Sequence, residues 1–196
     1  HDLAIKSLKF NPIPGKIFEV KDEQMLSINL LGKNFPNPIG LAAGFDKSAE
    51  AYNSLFKLGF GFIEVGTVTP LEQYGNPKPR IFRLEDDEAL INRLGFNNDG
   101  MQIIKNRIKL EKKKGILGIN IGPNKNTKDQ KQDFCQGLKS FFDIADYITI
   151  NISSPNTENL RNFHETNRLK ELLNSILEKK KELKAEIPIA IKISPD

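Results

Sequence analysis

Cysteine and histidine are scarce in this sequence of 196 residues. It has one cysteine, Cys135, which excludes an intramolecular disulfide framework and a zinc cluster built on cysteines. Its two histidines, His1 and His164, argue against a transition-metal site made by the protein. We therefore predict no metal site, and we interpret Cys135 as a small packing residue and His164 as part of a loop or helix start.

Long apolar runs are absent as well. No window approaches the roughly 18 consecutive apolar residues that a transmembrane helix needs. The chain starts at His1 without a basic segment followed by an apolar one, so no secretory signal is visible. Because the first residue is not Met, we expect the natural N-terminus to lie upstream.

Charge of either sign is nearly balanced. Lys and Arg number 29 and Asp and Glu 25, and the net charge of +4 is too small to indicate nucleic acid without a basic patch. The lysine runs at 112–114 and 179–181 fall at the ends of predicted helices, where cations suit the helix dipole. The glycine patterns of phosphate and dinucleotide loops are missing, and Ser154 lacks the flanking glycines of a hydrolase nucleophile.

Short apolar runs alternate with longer amphipathic stretches. The runs have little polar alternation, which is typical of buried strands in a parallel sheet, and the stretches carry apolar residues at helical spacing. The predicted strands are residues 39–45, 62–68, 116–121, 147–152 and 187–193. A short helix is predicted over 49–58, ending at Gly59. This order indicates an α/β fold with right-handed crossovers, either open and doubly wound or part of a (β/α) barrel.

Two segments interrupt the alternation. Residues 1–38 precede the first strand, with a predicted helix near 3–8 and a strand-like stretch at 25–30. Residues 69–96 follow the second strand and include a hairpin-like stretch at 81–94. A long insertion at the carboxyl end of a strand is where α/β folds build their sites, so we expect the site there.

Every predicted strand brings polar side chains to its carboxyl end. These include Lys47, Thr67, Asn120, Asn151, Ser154 and Lys192. Buried without partners they would cost about 1–3 kcal/mol each, whereas one planar ligand could pair with them together. The small residues Ala42, Ala43, Gly44 and Gly66 would let the backbone approach its face. Taken singly, Lys47 is equally well an exposed lysine, and Asn151 and Asn156 are explained by turns around Pro155.

Six motifs occur in the order and spacing of one known family. They are LAAGFDK (41–47), GTVTP (66–70), INRLGFN (91–97), GINIG (118–122), NISSPNT (151–157) and KISPD (192–196). Together they resemble dihydroorotate dehydrogenase of the membrane-associated, quinone-reducing class 2. The resemblance covers nearly the whole chain from about Asn29 onward. Six matching motifs are a specific signal, although each motif alone is weak.

The resemblance implies a (β/α)8 TIM barrel that holds FMN at its C-terminal face and oxidises dihydroorotate to orotate in pyrimidine biosynthesis. It implies FMN contacts for Ala43, Gly44, Phe45, Asp46, Lys47, Thr67, Asn120, Asn151 and Lys192. It implies substrate contacts for Lys47, Asn92, Arg93, Leu94, Gly95, Phe96, Asn151 and Asn156. Within these sets, Lys47 would pair with the substrate carboxylate and Lys192 would lie near the pyrimidine edge of the flavin.

The resemblance also assigns a catalytic base. Ser154 would remove the C5 proton of the substrate as the C6 hydride leaves. Class 1 relatives have a cysteine at this position, so the serine favours class 2. A serine is a weak base at its free pKa and would need a proton relay, which the sequence does not identify.

The same resemblance divides the chain into two parts. Residues 1–24 would be the remnant of an N-terminal helical segment that forms the quinone tunnel and associates with the membrane. Residues 25–196 would be a partial FMN-binding barrel that stops after its fifth strand, so we expect the chain alone to bind FMN poorly and to be inactive. The enzyme would lie peripherally on the cytoplasmic side of the inner membrane in a bacterium, or at the mitochondrial inner membrane in a eukaryote.

Two alternatives stay open. One is a soluble, class 1-like dihydroorotate dehydrogenase that passes electrons to fumarate or NAD, against which Ser154 and the N-terminal helix argue. The other is a basic α/β binding protein without enzymatic activity, which leaves the polar strand ends unexplained.

Overall fold

The computed structural model describes residues 1–10 and 24–195. In chain order the elements are α1 (Asp2–Lys9), β1 (Ile28–Leu30), β2 (Lys33–Phe35), β3 (Gly40–Leu41), α2 (Tyr52–Leu55), β4 (Phe62–Val68), β5 (Ile81–Leu84), β6 (Ala89–Asn92), α3 (Met101–Lys109), β7 (Ile116–Ile121), α4 (Gln130–Phe141), β8 (Tyr147–Asn151), α5 (Thr166–Glu182) and β9 (Ile189–Lys192). Short 3₁₀ helices cover Gln24–Leu26, Phe56–Leu58 and Leu160–His164.

The central sheet has five parallel strands in the order β3-β4-β7-β8-β9. Neighbours in space are therefore successive strands of this sheet along the chain. A doubly wound sheet would reverse its strand order at a switch point, and this sheet does not. The α/β fold class is confirmed, and the winding is that of a partial (β/α) barrel with five strands.

The two faces of the sheet differ in chemistry because side chains alternate along a strand. One face packs against the helices, where aliphatic strand residues such as Ile63, Leu117 and Ile148 are fully buried with Ile104 and Phe134. The other face is polar. It carries Glu64, Gly118, Asn120, Thr149 and Asn151. The apolar face holds the fold together, and the polar face leads up to the carboxyl ends of the strands.

Three sequence-based boundaries are wrong, two of them for a local backbone reason. The first strand covers only Gly40–Leu41 of the predicted 39–45, since Gly44 takes a φ of +116° that an extended strand does not allow. The helix predicted over 49–58 starts as an α-helix only at Tyr52, because Ala49 has a left-handed φ of 53°. It ends as predicted at Gly59, whose φ is 91°. The stretch at 25–30 becomes a strand only from Ile28.

The two interruptions of the alternation take defined shapes. β1 and β2 form an antiparallel hairpin ahead of the sheet, and β5 and β6 form a second one, which confirms the hairpin expected within 69–96. Helix α1 confirms the helix expected near 3–8 and buries Ile5. Residues 11–23 of the expected 1–24 segment lie outside the described residues. None of the helices in the described part of the chain is long and apolar enough to cross a membrane.

Asp146 joins the first hairpin to the base of the sheet. Its carboxylate accepts hydrogen bonds from the Leu117 amide (2.9 Å) and Lys113 Nζ (2.7 Å), and Lys33 Nζ lies 3.2 Å away. Burial alone would raise the pKa of Asp146, but these partners outweigh it and hold the pKa below its usual 3.8. The carboxylate therefore stabilises the fold most when it is charged.

Replacing Asp146 with Asn is expected to lower the free energy of unfolding at pH 7 by about 1–3 kcal/mol, because two lysines lose a buried partner. A carboxyl whose pKa is lower in the folded protein than in the unfolded one stabilises the fold at pH values above its unfolded-state pKa. That stabilisation is lost as the pH falls through the folded-state pKa. The gap between wild type and variant in urea unfolding should therefore close below pH 3.8. A gap that is equally wide in strong acid would contradict the role of this carboxylate.

Candidate active site

A cavity of about 300 Å³ opens at the carboxyl ends of the strands, and we call it the strand-end cavity. Twelve of the residues that the sequence singled out meet there, from five different segments. They are Ala43, Gly44, Lys47, Thr67, Asn92, Leu94, Gly95, Phe96, Asn151, Ser154, Asn156 and Lys192. The insertion after β4 thus returns to the ends of β4, β8 and β9, as an insertion at this position should.

Four other predicted site residues do not line this cavity. Asn120 is fully buried beneath it. The Arg93 guanidinium turns outward, donating to the Pro79 carbonyl at 2.8 Å and lying over the Phe82 ring. The side chains of Phe45 and Asp46 face a different cavity. The ligand contacts proposed for these four residues stay predictions.

Asp46 has a structural task in this arrangement. Its two carboxylate oxygens accept the amides of Glu50 and Ala51, each at 2.8 Å, and so secure the turn that leads into α2. Burial raises the pKa of Asp46, and the backbone hydrogen bonds partly offset that effect. The carboxylate is thus committed to the turn and not to the strand-end cavity.

One part of the lining of the strand-end cavity, which we call its floor, consists of small residues. Ala43, Gly44, Gly66 and Thr67 form it, and the Gly44 amide donates to the Gly66 carbonyl at 2.9 Å. Apart from Gly44 and its two chain neighbours, no atom of the described residues lies within 4 Å of the place where a Cβ on Gly44 would stand. That position is therefore open space. The backbone can therefore lie directly against the face of a planar ring.

Two lysines give the cavity positive charge. Lys47 is half-buried and donates from Nζ to the Gly44 carbonyl. Burial lowers the pKa of Lys47, and the nearby Arg80 lowers it further, against the opposite effects of Asp2 and Asp46. Lys192 lies at the end of β9, in register with Asn151. The pair suits a ligand that carries negative charge.

The loop after β8 meets the second hairpin at the mouth of the cavity. The Asn156 amide donates to Ser154 Oγ at 3.2 Å, and Asn156 Nδ2 donates to the Asn92 carbonyl at 3.4 Å. The Asn92 side chain accepts the Leu94 amide at 3.5 Å. These contacts bring the hydroxyl of Ser154 and two amide side chains to the same rim.

A chain of hydrogen bonds lies below the floor. Asn151 Nδ2 donates to Thr67 Oγ1 (2.9 Å), Thr67 Oγ1 donates to Asn120 Oδ1 (2.6 Å), and Asn120 Nδ2 donates to Glu64 Oε1 (2.8 Å). Glu64 was not singled out from the sequence. The signal was available, because Glu64 stands between the buried Ile63 and Val65 and must therefore face the other side of the sheet.

A second cavity, of about 210 Å³, lies between α1 and the barrel, and we call it the α1-side cavity. His1, Asp2 and Ile5 line it from α1 and its start. His1 Nε2 lies 2.6 Å from the Phe45 carbonyl oxygen. Lys47 and Asn97 line both cavities and so form part of the wall between them. Asn97 was not singled out from the sequence, and its buried Oδ1 has no hydrogen-bond partner among the described residues.

Residues 1–10 and 24–195 contain no group of three His, Cys, Asp or Glu side chains that could hold a metal ion. The polar groups of the strand-end cavity are instead amides, hydroxyls and ammonium groups. Such a set binds an organic anion with several hydrogen-bonding atoms.

Comparisons with known proteins agree with this architecture. The family model of dihydroorotate dehydrogenase matches residues 25–196. A dihydroorotate dehydrogenase (quinone) of Bartonella tribocorum is 53% identical, with all of this chain and 55% of that protein aligned. One of a Bradyrhizobium species is 46% identical, with 54% of that protein aligned. The structure of DHODH from Eimeria tenella in complex with ferulenol is similar with a TM-score of 0.92 at 37% identity, over all of this chain and 58% of that one.

The chain spans about half the length of the curated relatives it matches. Family model, curated relatives and solved structure nevertheless agree with the resemblance carried by the six motifs. The chain therefore belongs to the dihydroorotate dehydrogenase family, and the two curated relatives above are named as its quinone type.

Proposed function

We propose that the full-length product of this gene oxidises dihydroorotate to orotate with FMN as its cofactor and passes the electrons to a quinone. The observation that carries the proposal is the strand-end cavity, which is lined by small residues, two lysines and several amide side chains. The names of the curated relatives support the same activity.

The floor fits a flavin. Ala43, Gly44, Gly66 and Thr67 leave room for a planar ring system, and the position of a Cβ on Gly44 is open space in the part of the chain that the structure describes. FMN, when bound there, supplies the acceptor for the substrate hydride. Lys192 brings a positive charge to the cavity, which favours the negative charge of a reduced ring.

The rim fits dihydroorotate, an anion with ring amides and carbonyls. Lys47 is placed to pair with its carboxylate, and a charge-assisted hydrogen bond in a half-buried position is strong. The side chains of Asn92, Asn151 and Asn156 supply donors and acceptors for the ring. Leu94, Gly95 and Phe96 close the same side of the cavity and would exclude water from the reacting carbons.

Ser154 is the group we propose as the base. It lines the cavity, and its Oγ accepts the Asn156 amide at 3.2 Å, which fixes the oxygen and helps to stabilise negative charge on it. Proton transfer from C5 of the substrate to Ser154 Oγ would accompany the loss of hydride from C6. No described side chain stands as the onward partner of that proton, so we propose water as the relay.

The α1-side cavity is the proposed route of the quinone. It reaches the wall formed by Lys47 and Asn97, on the other side of which lies the strand-end cavity. Leu3 in helix α1 is 82% exposed, and Phe10, which follows the helix, is 86% exposed. These exposed apolar side chains support a segment that rests on a lipid surface. We accordingly propose residues 1–24 as the quinone-binding, membrane-associating segment and residues 25–196 as part of the FMN-binding barrel.

The test is reduction and reoxidation of the full-length protein. We expect it to purify with FMN, to lose the oxidised flavin absorbance when dihydroorotate is added without oxygen, and to regain it with a short-chain ubiquinone analogue. Fumarate or NAD in place of the quinone should reoxidise it poorly. Absence of FMN would refute the proposal, and reoxidation by fumarate or NAD alone would favour a class 1-like enzyme. The 196-residue chain alone is expected to bind FMN poorly and to be inactive.

A further inference from the structure

Glu64 accepts every hydrogen bond that it makes below the strand-end cavity. Asn120 Nδ2 donates to Oε1 at 2.8 Å, while Thr149 Oγ1 and the Tyr147 hydroxyl donate to Oε2 at 2.8 and 3.2 Å. Burial raises the pKa of Tyr147, and the charge of Glu64 raises it further, so the phenol keeps its proton and remains a donor. One carboxylate is thus the common acceptor of three side chains from two neighbouring strands.

Gly118 leaves the space that lets the Tyr147 hydroxyl reach Glu64. The Tyr147 ring lies over Gly118 on the adjacent strand, and a Cβ at Gly118 would stand 2.2 Å from Tyr147 Cζ. Any side chain at this position would push the phenol away from Glu64. The sequence therefore combines an acceptor, a glycine and an aromatic donor on three consecutive strands of the sheet.

The directions of the hydrogen bonds between Asn151, Thr67, Asn120 and Glu64 follow from the groups at the two ends of this series. At the upper end, the Ser153 amide can only donate, and it donates to Asn151 Oδ1 at 3.1 Å, which turns Asn151 Nδ2 towards Thr67. At the lower end, a carboxylate can only accept, which turns Asn120 Nδ2 towards Glu64 and Asn120 Oδ1 towards Thr67. The hydroxyl proton of Thr67 must then point down to Asn120.

This order determines what the cavity offers to a ligand. The Thr67 hydroxyl donates its hydrogen to Asn120 below the floor, so towards a ligand in the cavity its oxygen can only accept a hydrogen bond. Asn151 Nδ2 uses one hydrogen for Thr67 and keeps the other for a ligand. An acceptor and a donor side by side match the N–H and C=O of a cyclic amide or imide, such as the pyrimidine part of a flavin.

We infer that Glu64 is a positioning residue, which orders the hydrogen bonds of Asn120, Thr67 and Asn151 and so selects a ligand with an amide or imide edge. The inference rests on the proposed function. Glu64 does not line the cavity, and its effect passes through Asn120 and Thr67. A glutamine in place of Glu64 could also donate a hydrogen bond, so the side-chain amide of Asn120 could rotate and exchange the positions of its Oδ1 and Nδ2.

The test is a double-mutant cycle in the full-length protein, with FMN affinity for the apoprotein as the readout, measured by quenching of FMN fluorescence. Glu64→Gln should raise the Kd for FMN about tenfold, which is the effect of one misplaced hydrogen bond. In a Thr67→Val background the same substitution should change the Kd by less than about twofold, since the connection is already broken. Asn120→Ala should behave as Glu64→Gln does, without a change of charge.

Glu111→Gln is the matched control. Glu111 also accepts an asparagine amide, from Asn53 at 2.9 Å, but it lies away from the strand-end cavity, so its substitution should leave the Kd within about twofold. A Glu64→Gln effect that adds fully in the Thr67→Val background would overturn the positioning role. An unchanged Kd in both Glu64→Gln and Asn120→Ala would overturn it too. If the wild type does not bind FMN at all, the proposed function fails first, and the role of Glu64 with it.

Discussion

Replacing Ser154 with Ala is expected to leave FMN bound and to slow the reduction of the flavin by dihydroorotate about 10²–10⁴-fold, the usual contribution of a positioned base. The hydroxyl lines the strand-end cavity, and Asn156 holds its oxygen from one side. Loss of a single oxygen leaves the small floor and the two lysines in place. This variant should therefore keep its affinity for FMN while the rate of flavin reduction falls.

Anaerobic stopped-flow reduction measures the effect without any contribution from the quinone step. Ser154→Cys serves as the comparison, since a thiol has a pKa near 8.5 and gives up its proton far more readily than a serine. We expect this variant to reduce the flavin faster than Ser154→Ala, with a rate that rises with pH up to about that pKa. Near-normal reduction by Ser154→Ala would remove Ser154 from the role of base.

The sequence was sufficient for the fold where local pattern and tertiary packing agree. The four longer strands of the sheet and helices α3, α4 and α5 are amphipathic or uniformly apolar segments, and their burial in the structure follows the same periodicity. The second hairpin was also predictable, from its place after β4. Boundaries were wrong at Gly44 and Ala49, where a positive φ interrupts the predicted strand and delays the start of the predicted helix. Nothing in the local pattern of Ala49 indicates that conformation.

The site was predictable in part, for a related reason. Strand-end residues such as Thr67 and Asn151 converge because parallel strands end at one edge, and this rule needs no coordinates. The outward turn of Arg93 depends on the Pro79 carbonyl, which the hairpin brings within reach. Asp46 accepts two amides from a turn whose shape the sequence pattern misassigned. Side-chain direction in loops is set by contacts that no periodic rule describes.

Replacing Lys47 with Ala is expected to weaken orotate binding about 10–150-fold, the range expected for the loss of a hydrogen bond to a charged group. The loss should appear in the Kd at least as strongly as in turnover, because the carboxylate is bound before the reaction and remains bound through it. Equilibrium titration of the FMN-loaded protein with orotate gives the Kd directly. Lys139→Ala, at an exposed position of α4, is the control for removal of one positive charge.

The pH dependence of the orotate Kd tests the role of Lys47 more specifically than the loss of affinity in Lys47→Ala does. Burial and Arg80 lower the pKa of Lys47 below the usual 10.5. In the free protein its ammonium therefore loses its proton, and with it the attraction for orotate, at a lower pH than an unperturbed lysine would. The orotate Kd of the wild type should therefore begin to rise below pH 10.5. Lys47→Arg keeps its charge throughout this range, so the ratio of the wild-type Kd to the Lys47→Arg Kd should rise with pH, and ionisation of orotate itself cancels in that ratio. The different shape of arginine makes the Kd of this variant higher at pH 7. A Kd that rises with pH in Lys47→Arg as it does in the wild type would contradict the pairing of Lys47 with the substrate carboxylate.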